Sequence, residues 1–122
     1  MILLIILKVH LVVAYPYESV WPAAVRFVRV DRGWKIVEQD KEAGFLRFEL
    51  IDEKKPHTAS LELVRTTDSE GRSAVRMQLS TADLARFQEA PILDAIARKL
   101  RDELGPPPPP KKPAESRPDG GG

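Results

Sequence analysis

At Gly33-Trp34 the apolar pattern of this 122-residue chain changes period from 3.6 residues to 2, and that switch constrains the fold more than any other feature of the sequence. Before it, Val20, Trp21, Ala24, Val25, Phe27 and Val28 recur at spacings of three and four within residues 18–32. They wind one apolar stripe along a helix, with Arg26, Arg29 and Arg32 on the other side. After it, Trp34, Ile36 and Glu38 alternate with Lys35, Val37 and Gln39, and Leu46, Phe48 and Leu50 share a face opposite Arg47 and Glu49. Leu61 and Leu63 then alternate with Ser60, Glu62 and Val64, and Val75, Met77 and Leu79 with Arg76 and Gln78. Residues 40–44 and 68–71 read as turns and 52–58 as a polar loop. Alternation joined by short turns predicts an antiparallel meander with one dry and one wet face.

The dry face needs a cover. Residues 91–104 supply it, with Ile92, Leu93, Ile96, Ala97, Leu100 and Leu104 along one stripe and Arg98, Lys99, Arg101, Asp102 and Glu103 outside it. Pro91 suits a first helical turn and Gly105 a stop. Leu84 and Phe87 extend the cover on the N-terminal side if residues 80–83 bend. In the earlier helix, begun at Ser19 or at the Pro16-Tyr17 corner, Pro22 is tolerable only within the first turn. The predicted class is α+β: a meander of four to five strands with two helices packed on one face, in the order (β)-α-β-β-β-β-α.

Composition matters mainly because it is uneven. Residues 1–14 carry only Lys8 and His10 as polar side chains, while residues 105–122 hold most of the 11 prolines. The chain divides into an apolar segment 1–14, a single domain 15–104 and a Pro/Gly-rich tail 105–122 that is expected to be disordered. The first segment permits two readings. Val12-Val13-Ala14 after an apolar run gives the context of a cleaved export signal; Val9, Leu11, Val13 and Tyr15 on one side of an alternating pattern give a strand. Lys8, His10, Pro16 and Glu18 interrupt the roughly 20 apolar residues a membrane span requires. In the tail, Pro107-x-x-Pro110-Lys111 matches the extended proline ligands that dock on aromatic grooves.

The search for chemistry excludes more than it finds. A formal charge of +1 lacks the basic footprint of nucleic-acid binding, and the absence of cysteine removes disulfides, thiolate metal sites and cysteine nucleophiles. His10 and His57 are the only histidines, and neither stands in a catalytic context. His57 near Asp52 and Glu53 lacks metal-ligand spacing, Asp68-x-Glu70-Gly71 lacks the later carboxylate of a calcium loop, and no glycine loop for phosphate occurs. Glu38, Asp40, Glu42 and Glu49 read as a charge ladder with Lys35, Lys41 and Arg47 rather than as an acid–base pair. Trp21, Trp34, Phe27 and Phe48 read as core, or as the lining of a ligand cavity between helix and sheet. No catalytic, cofactor-binding or metal-binding residue is assigned, no cofactor is expected, and the chain is read as a non-enzyme.

Tyr17-Glu18-Ser19-Val20-Trp21 opening a helix, then Gly33-Trp34-Lys35-Ile36-Val37 and Asp40-Lys41-Glu42-Ala43-Gly44-Phe45-Leu46-Arg47, resembles the pattern of small bacterial envelope domains of the BamC-like kind over residues 15–104. The resemblance implies a helix-on-sheet fold in which Trp21 anchors the helix and Gly44 turns a hairpin. It further implies a role in envelope assembly or scaffolding, another envelope protein as partner, and a periplasmic or secreted location, with a cytoplasmic one as the alternative. With no cysteine, lipid anchoring by the usual route is excluded. The Tyr17-x-x-Val20-Trp21 opening also resembles lipid-binding helix-grip proteins, which are longer and curl their sheet around a cavity. Two functions are therefore expected: a protein-interaction domain using a sheet edge or loops, or a carrier of small apolar ligands at the helix–sheet interface. A carrier needs a cavity of a few hundred Å³, and a packed interior around Trp21, Phe27, Phe48 and Leu100 argues against one.

Overall fold

The period-2 segments pair into one antiparallel sheet of five strands in the computed structural model, which describes residues 9–52, 54–81 and 86–109. Strand β1 is Val9–Val13; helix α1, Tyr17–Arg26, follows and continues into a π-helical turn, Phe27–Asp31. Strands β2 (Lys35–Asp40), β3 (Phe45–Asp52), β4 (Lys55–Thr67) and β5 (Ser73–Thr81) form the meander, and helix α2 (Arg86–Leu104) closes the chain. The spatial order is β1-β5-β4-β3-β2, so the α+β class and the meander read from the sequence are what the chain adopts.

The core lies between the inner face of the sheet and the two helices. Leu46, Phe48, Leu50, Ala59, Leu61, Leu63, Val75, Met77 and Leu79 line the sheet side; Val20, Trp21, Ala24 and Val28 come from α1 and its π turn, and Leu93, Ile96 and Leu100 from α2. Trp34 stacks on Phe48 (centroids 5.6 Å apart) and meets Phe27 edge-on (6.3 Å), closing the corner where the helical segment passes into β2.

Several expectations are corrected. Val9–Val13 ladders onto β5 from Val9↔Leu79 to Val13↔Val75, and Val13 and Tyr15 are buried. A cut after Ala14 would strip a strand from the sheet, so the signal-segment reading is overturned in favour of a strand; the apolar run 1–8 lies outside the described residues. The polar stretch 52–58 is not a loop: Ile51 pairs with Pro56 and Asp52 with Lys55, and Lys54 takes a positive φ of 66°. Pro56 is accommodated at a position where, among the described residues, β4 pairs only with β3, since the pairing of β5 with β4 reaches no further than Ala59↔Thr81.

Both helices hold a proline deeper than expected. Pro22 and Pro91 each sit at the sixth helical residue, and burial of the flanking apolar stripe offsets the missing backbone donor. Ser80 and Thr81 belong to β5 rather than to a bend, and α2 begins at Arg86 rather than at Pro91. Leu84 and the side chain of Phe87 lie outside the described residues. In β2 the ladder slips between Ile36↔Phe48 and Glu38↔Arg47, so Val37 is an extra, bulged residue. Glu38 therefore shares the outer face with Arg47, and Gln39, opposite Leu46, turns to the inner side.

Candidate functional site

The inner positions that would line an enclosed cavity are filled. Phe48 is 1% exposed, Phe27 3% and Leu100 0%, so these side chains pack against one another between helix and sheet. Open space lies instead at the margin of that interface, where α1 passes β2 and the β2–β3 turn. A cleft of about 580 Å³ has Trp21, Pro22 and Val25 as its apolar wall and Arg26, Arg29, Gln39 and Lys41 around them.

Each part of this cleft has a local cause. The stripe that buries Val20, Ala24 and Val28 leaves Trp21 and Val25 at its border, so their outer edges form a wall. Tyr17 stacks on Trp21 (centroids 6.2 Å apart), and its hydroxyl donates to the carbonyl of Lys41, fixing the start of α1 to the β2–β3 turn. Burial pushes the Tyr17 phenol pKa up, against the lowering effect of the Arg65 guanidinium 4.0 Å above its ring. The bulge at Val37 is what brings Gln39 to the cleft side. Gly44, at φ +78°, ends the turn, and a Cβ there would run into the Leu63 carbonyl oxygen.

The cleft is cationic. Arg26 is held by Glu103 of α2, but among the described residues no carboxylate lies within ion-pair distance of the Arg29 or Lys41 side chain. Behind Arg26, Lys99 bridges Asp31 (2.9 Å) and Glu103 (2.7 Å). Hydrogen bonds from Lys99, and then from Arg26, hold the Glu103 carboxyl below the usual range, and the two carboxylates raise Lys99. The network ties α2 to the π turn and keeps one wall of the cleft in place.

The other titratable groups singled out in the sequence are structural where they are described. Glu38 pairs with Arg47 (2.9 Å) and Lys35 stands opposite Glu49, the ladder expected; Asp40 accepts from the Ala43 N–H (3.0 Å) and shapes the turn. Asp68 accepts from the Arg72 and Glu70 N–H groups (2.9 Å each) and from the Arg72 side chain (2.7 Å), which makes it the organiser of the β4–β5 turn. His10 is exposed on the outer face opposite Gln78, and His57, half-buried, stands opposite Leu50 at the end of the sheet. The side chains of Asp52 and Glu53 lie outside the described residues, among which no group of three or more metal-ligating side chains assembles. Among the described residues no helix is long and apolar enough to cross a membrane.

Sequence reasoning missed Glu89, the one buried charged side chain among the described residues, whose carboxylate binds Thr81. It also missed the cleft, because Arg26 and Arg29 read only as the solvated side of a helix and the phase of Gln39 depends on an unseen bulge.

No protein-family profile matches the chain, and no curated protein is significantly similar to it. Among solved structures, a protein of Chromobacterium violaceum, CV1439, superposes with a TM-score of 0.46 at 12% identity, over 82% of this chain and 97% of that one. Ara h 8.0201 gives 0.39 at 10% identity over 80% and 95%. TTHA0849 of Thermus thermophilus gives 0.35 at 9% over 81% and 88%. No BamC-like protein is among these three, and the BamC-like resemblance is withdrawn. The periplasmic or secreted location that the resemblance implied is left without that support.

Proposed function

We propose that this protein is a non-enzymatic binder of small amphipathic anions, molecules with an apolar body and one carboxylate, sulfonate or phosphate group. The observation that carries the reading is the cleft beside α1, where Trp21, Pro22 and Val25 face an apolar body and Arg29 and Lys41 face a negative head. Its volume of about 580 Å³ suits a ligand of this size. Gln39 adds an amide that both donates and accepts, which orients the polar end. The ligand lies at the border of the helix–sheet interface, because the interior is already occupied by side chains.

Titration with decanoate, decanol and decylamine, followed by calorimetry, tests the reading. Decanoate is expected to bind with one site per chain, decanol more weakly and decylamine least, and the double variant Arg29→Glu, Lys41→Glu is expected to reverse that order. Failure of decanoate to bind, or equal binding of decanoate and decylamine, overturns the proposal.

A further inference from the structure

Among the described residues the sheet ends in β1 on one side and in β2 on the other, and the two edges are built differently. The β2 edge carries the bulge at Val37 and the exposed charges of Lys35, Glu38 and Asp40, features that hinder pairing with a further strand. Strand β1 has no lysine, arginine, carboxylate or proline from Val9 to Val13, and among the described residues it pairs with β5 alone.

The direction of the β1 backbone groups follows from the hairpins. The Leu63 N–H donates to the Gly44 carbonyl (2.7 Å) and the Asp68 N–H to the Arg72 carbonyl (3.0 Å), so Leu61 and Leu63 bond toward β3 and Glu62 and Val64 toward β5. Gln78 and Arg76 face those last two, which leaves Leu79, Met77 and Val75 to bond with Val9, Leu11 and Val13 of β1. His10 and Val12 therefore turn their N–H and C=O groups outward, off the edge.

Beside this edge runs a groove of about 450 Å³, bounded by the strand from Leu11 to Tyr15 and by the side of α2 that carries Asp94, Ala97, Arg98 and Arg101, with Pro107 also on its lining. Asp94 and Arg101 are exposed, and neither makes an ion pair among the described residues. Arg98 lies further round the helix, where it also borders a furrow with Asp31, Asp102 and Glu103. Glu89 is bound to Thr81, which lies about 7 Å before the level of Val9, and Gly105 is bound to Tyr15, about 20 Å past it. The helix between those two ties is about 24 Å long, so it runs alongside β1 and its midpoint, Ala97, is level with Leu11.

We propose that two copies of the chain join edge to edge through β1, antiparallel, about a two-fold axis at Leu11 and Ala97. His10 then faces Val12 of the second copy, and both such pairs exchange hydrogen bonds in either direction. Leu11 meets its own counterpart on the inner face, and Val12, 44% exposed in the single chain, gains His10 of the second copy as a neighbour on the outer face. In the helix layer the same axis sets Asp94 within about 1.5 Å, along the helix, of Arg101 of the second copy, and the reverse contact repeats it. Charges without a partner in one chain thus complement those of its copy, as a closed two-fold interface requires.

Sedimentation equilibrium of the full chain, of Asp94→Arg, of Arg101→Asp and of an equimolar mixture of the two variants tests the joint. Both positions are exposed, so the fold tolerates either change. The wild type is expected to dimerise, and each variant to do so at least about ten-fold more weakly because like charges meet at both ends of the joint. The mixture should recover wild-type affinity as a heterodimer, in which every one of these contacts again joins opposite charges. Amide exchange should show His10 and Val12 protected in the wild-type dimer and open in either variant alone, with Leu11 and Val13 protected throughout as a check on the fold. A wild type that stays monomeric up to about 1 mM overturns the proposal. So does a dimer that the single variants leave unchanged, a mixture that stays monomeric, or fast exchange of His10 and Val12 in the dimer.

Discussion

The carboxylate of Glu89 accepts hydrogen bonds from both the backbone N–H (2.8 Å) and the hydroxyl (2.6 Å) of Thr81, through the same oxygen. Glu89 is 3% exposed, and its other oxygen is buried with no hydrogen-bond partner among the described residues. One side chain thereby ties the start of α2 to the last residue of β5. Hydrogen bonds to a charged acceptor in such a setting contribute about 1.5–3 kcal/mol. Glu89→Ala is expected to lower the unfolding free energy by about 2 kcal/mol and Thr81→Val by about 1 kcal/mol. The double variant should lose less than the sum, by at least about 0.5 kcal/mol, in urea titrations. Strict additivity would show that the two residues do not act as a pair.

Gly44 and Gly33 both have positive φ, yet their surroundings differ. A Cβ at Gly44 meets the Leu63 carbonyl oxygen, whereas at Gly33 nothing lies within 4 Å. The left-handed conformation alone costs an alanine about 1–2 kcal/mol. Gly33→Ala should therefore cost about 1 kcal/mol, and Gly44→Ala at least about 3 kcal/mol because backbone must also move. Similar midpoints for the two variants in thermal melts would contradict the close approach of β4 to this turn.

Asp68 makes part of the stability depend on acid pH. The Arg72 N–H, then the Arg72 side chain and the Glu70 N–H, hold its carboxyl below the usual aspartate value, against a smaller opposing effect of burial. The folded chain thus releases this proton more readily than the unfolded chain, and the contribution is full above the ordinary aspartate pKa of about 4. It is lost as pH falls through the lower, folded value. The stability gap between the wild type and Asp68→Asn should be constant from about pH 7 to 5 and shrink below about pH 4. A gap that persists unchanged into strong acid would remove Asp68 from this role.

Because Arg29 and Lys41 are solvent-facing, decanoate binding at the α1 cleft should weaken several-fold as ionic strength rises from about 0.02 M to about 0.5 M. Trp34 stacks in the core on Phe48, so Trp34→Phe leaves Trp21 as the sole indole and as the reporter. A brominated fatty acid should quench it at concentrations that match calorimetric binding. Salt-independent binding, or binding without quenching, would place the ligand elsewhere.

Much of the fold is legible in the sequence because its elements have one buried face each. The stripes of residues 18–32 and 91–104 and the alternation through β3, β4 and β5 all record which side meets the core. Strand β2 is different. Lys35, Val37, Glu38, Gln39 and Asp40 are all exposed, so no buried phase exists to reveal the bulge, and the alternation read through Glu38 was out of step. The site was hidden for a related reason. Its wall comes from the border of α1 and its cations from positions that look merely solvated, and only the tertiary fold brings Gln39 and Lys41 to the same cleft. Glu89 escaped notice because a proline two residues on suggested that the helix had not yet begun, whereas tertiary packing carries α2 through Pro91.

Val37 is the residue of β2 that the ladder does not use. Removing it would join Ile36↔Phe48 directly to Glu38↔Arg47, and the pairings Gln39↔Leu46 and Asp40↔Phe45 would stand as they are. A gene encoding this protein can therefore lose that one codon in the middle of a strand while Gln39 keeps its place at the cleft. Deletion of any other residue of β2 beyond the bulge would instead shift the frame of side chains that follow it.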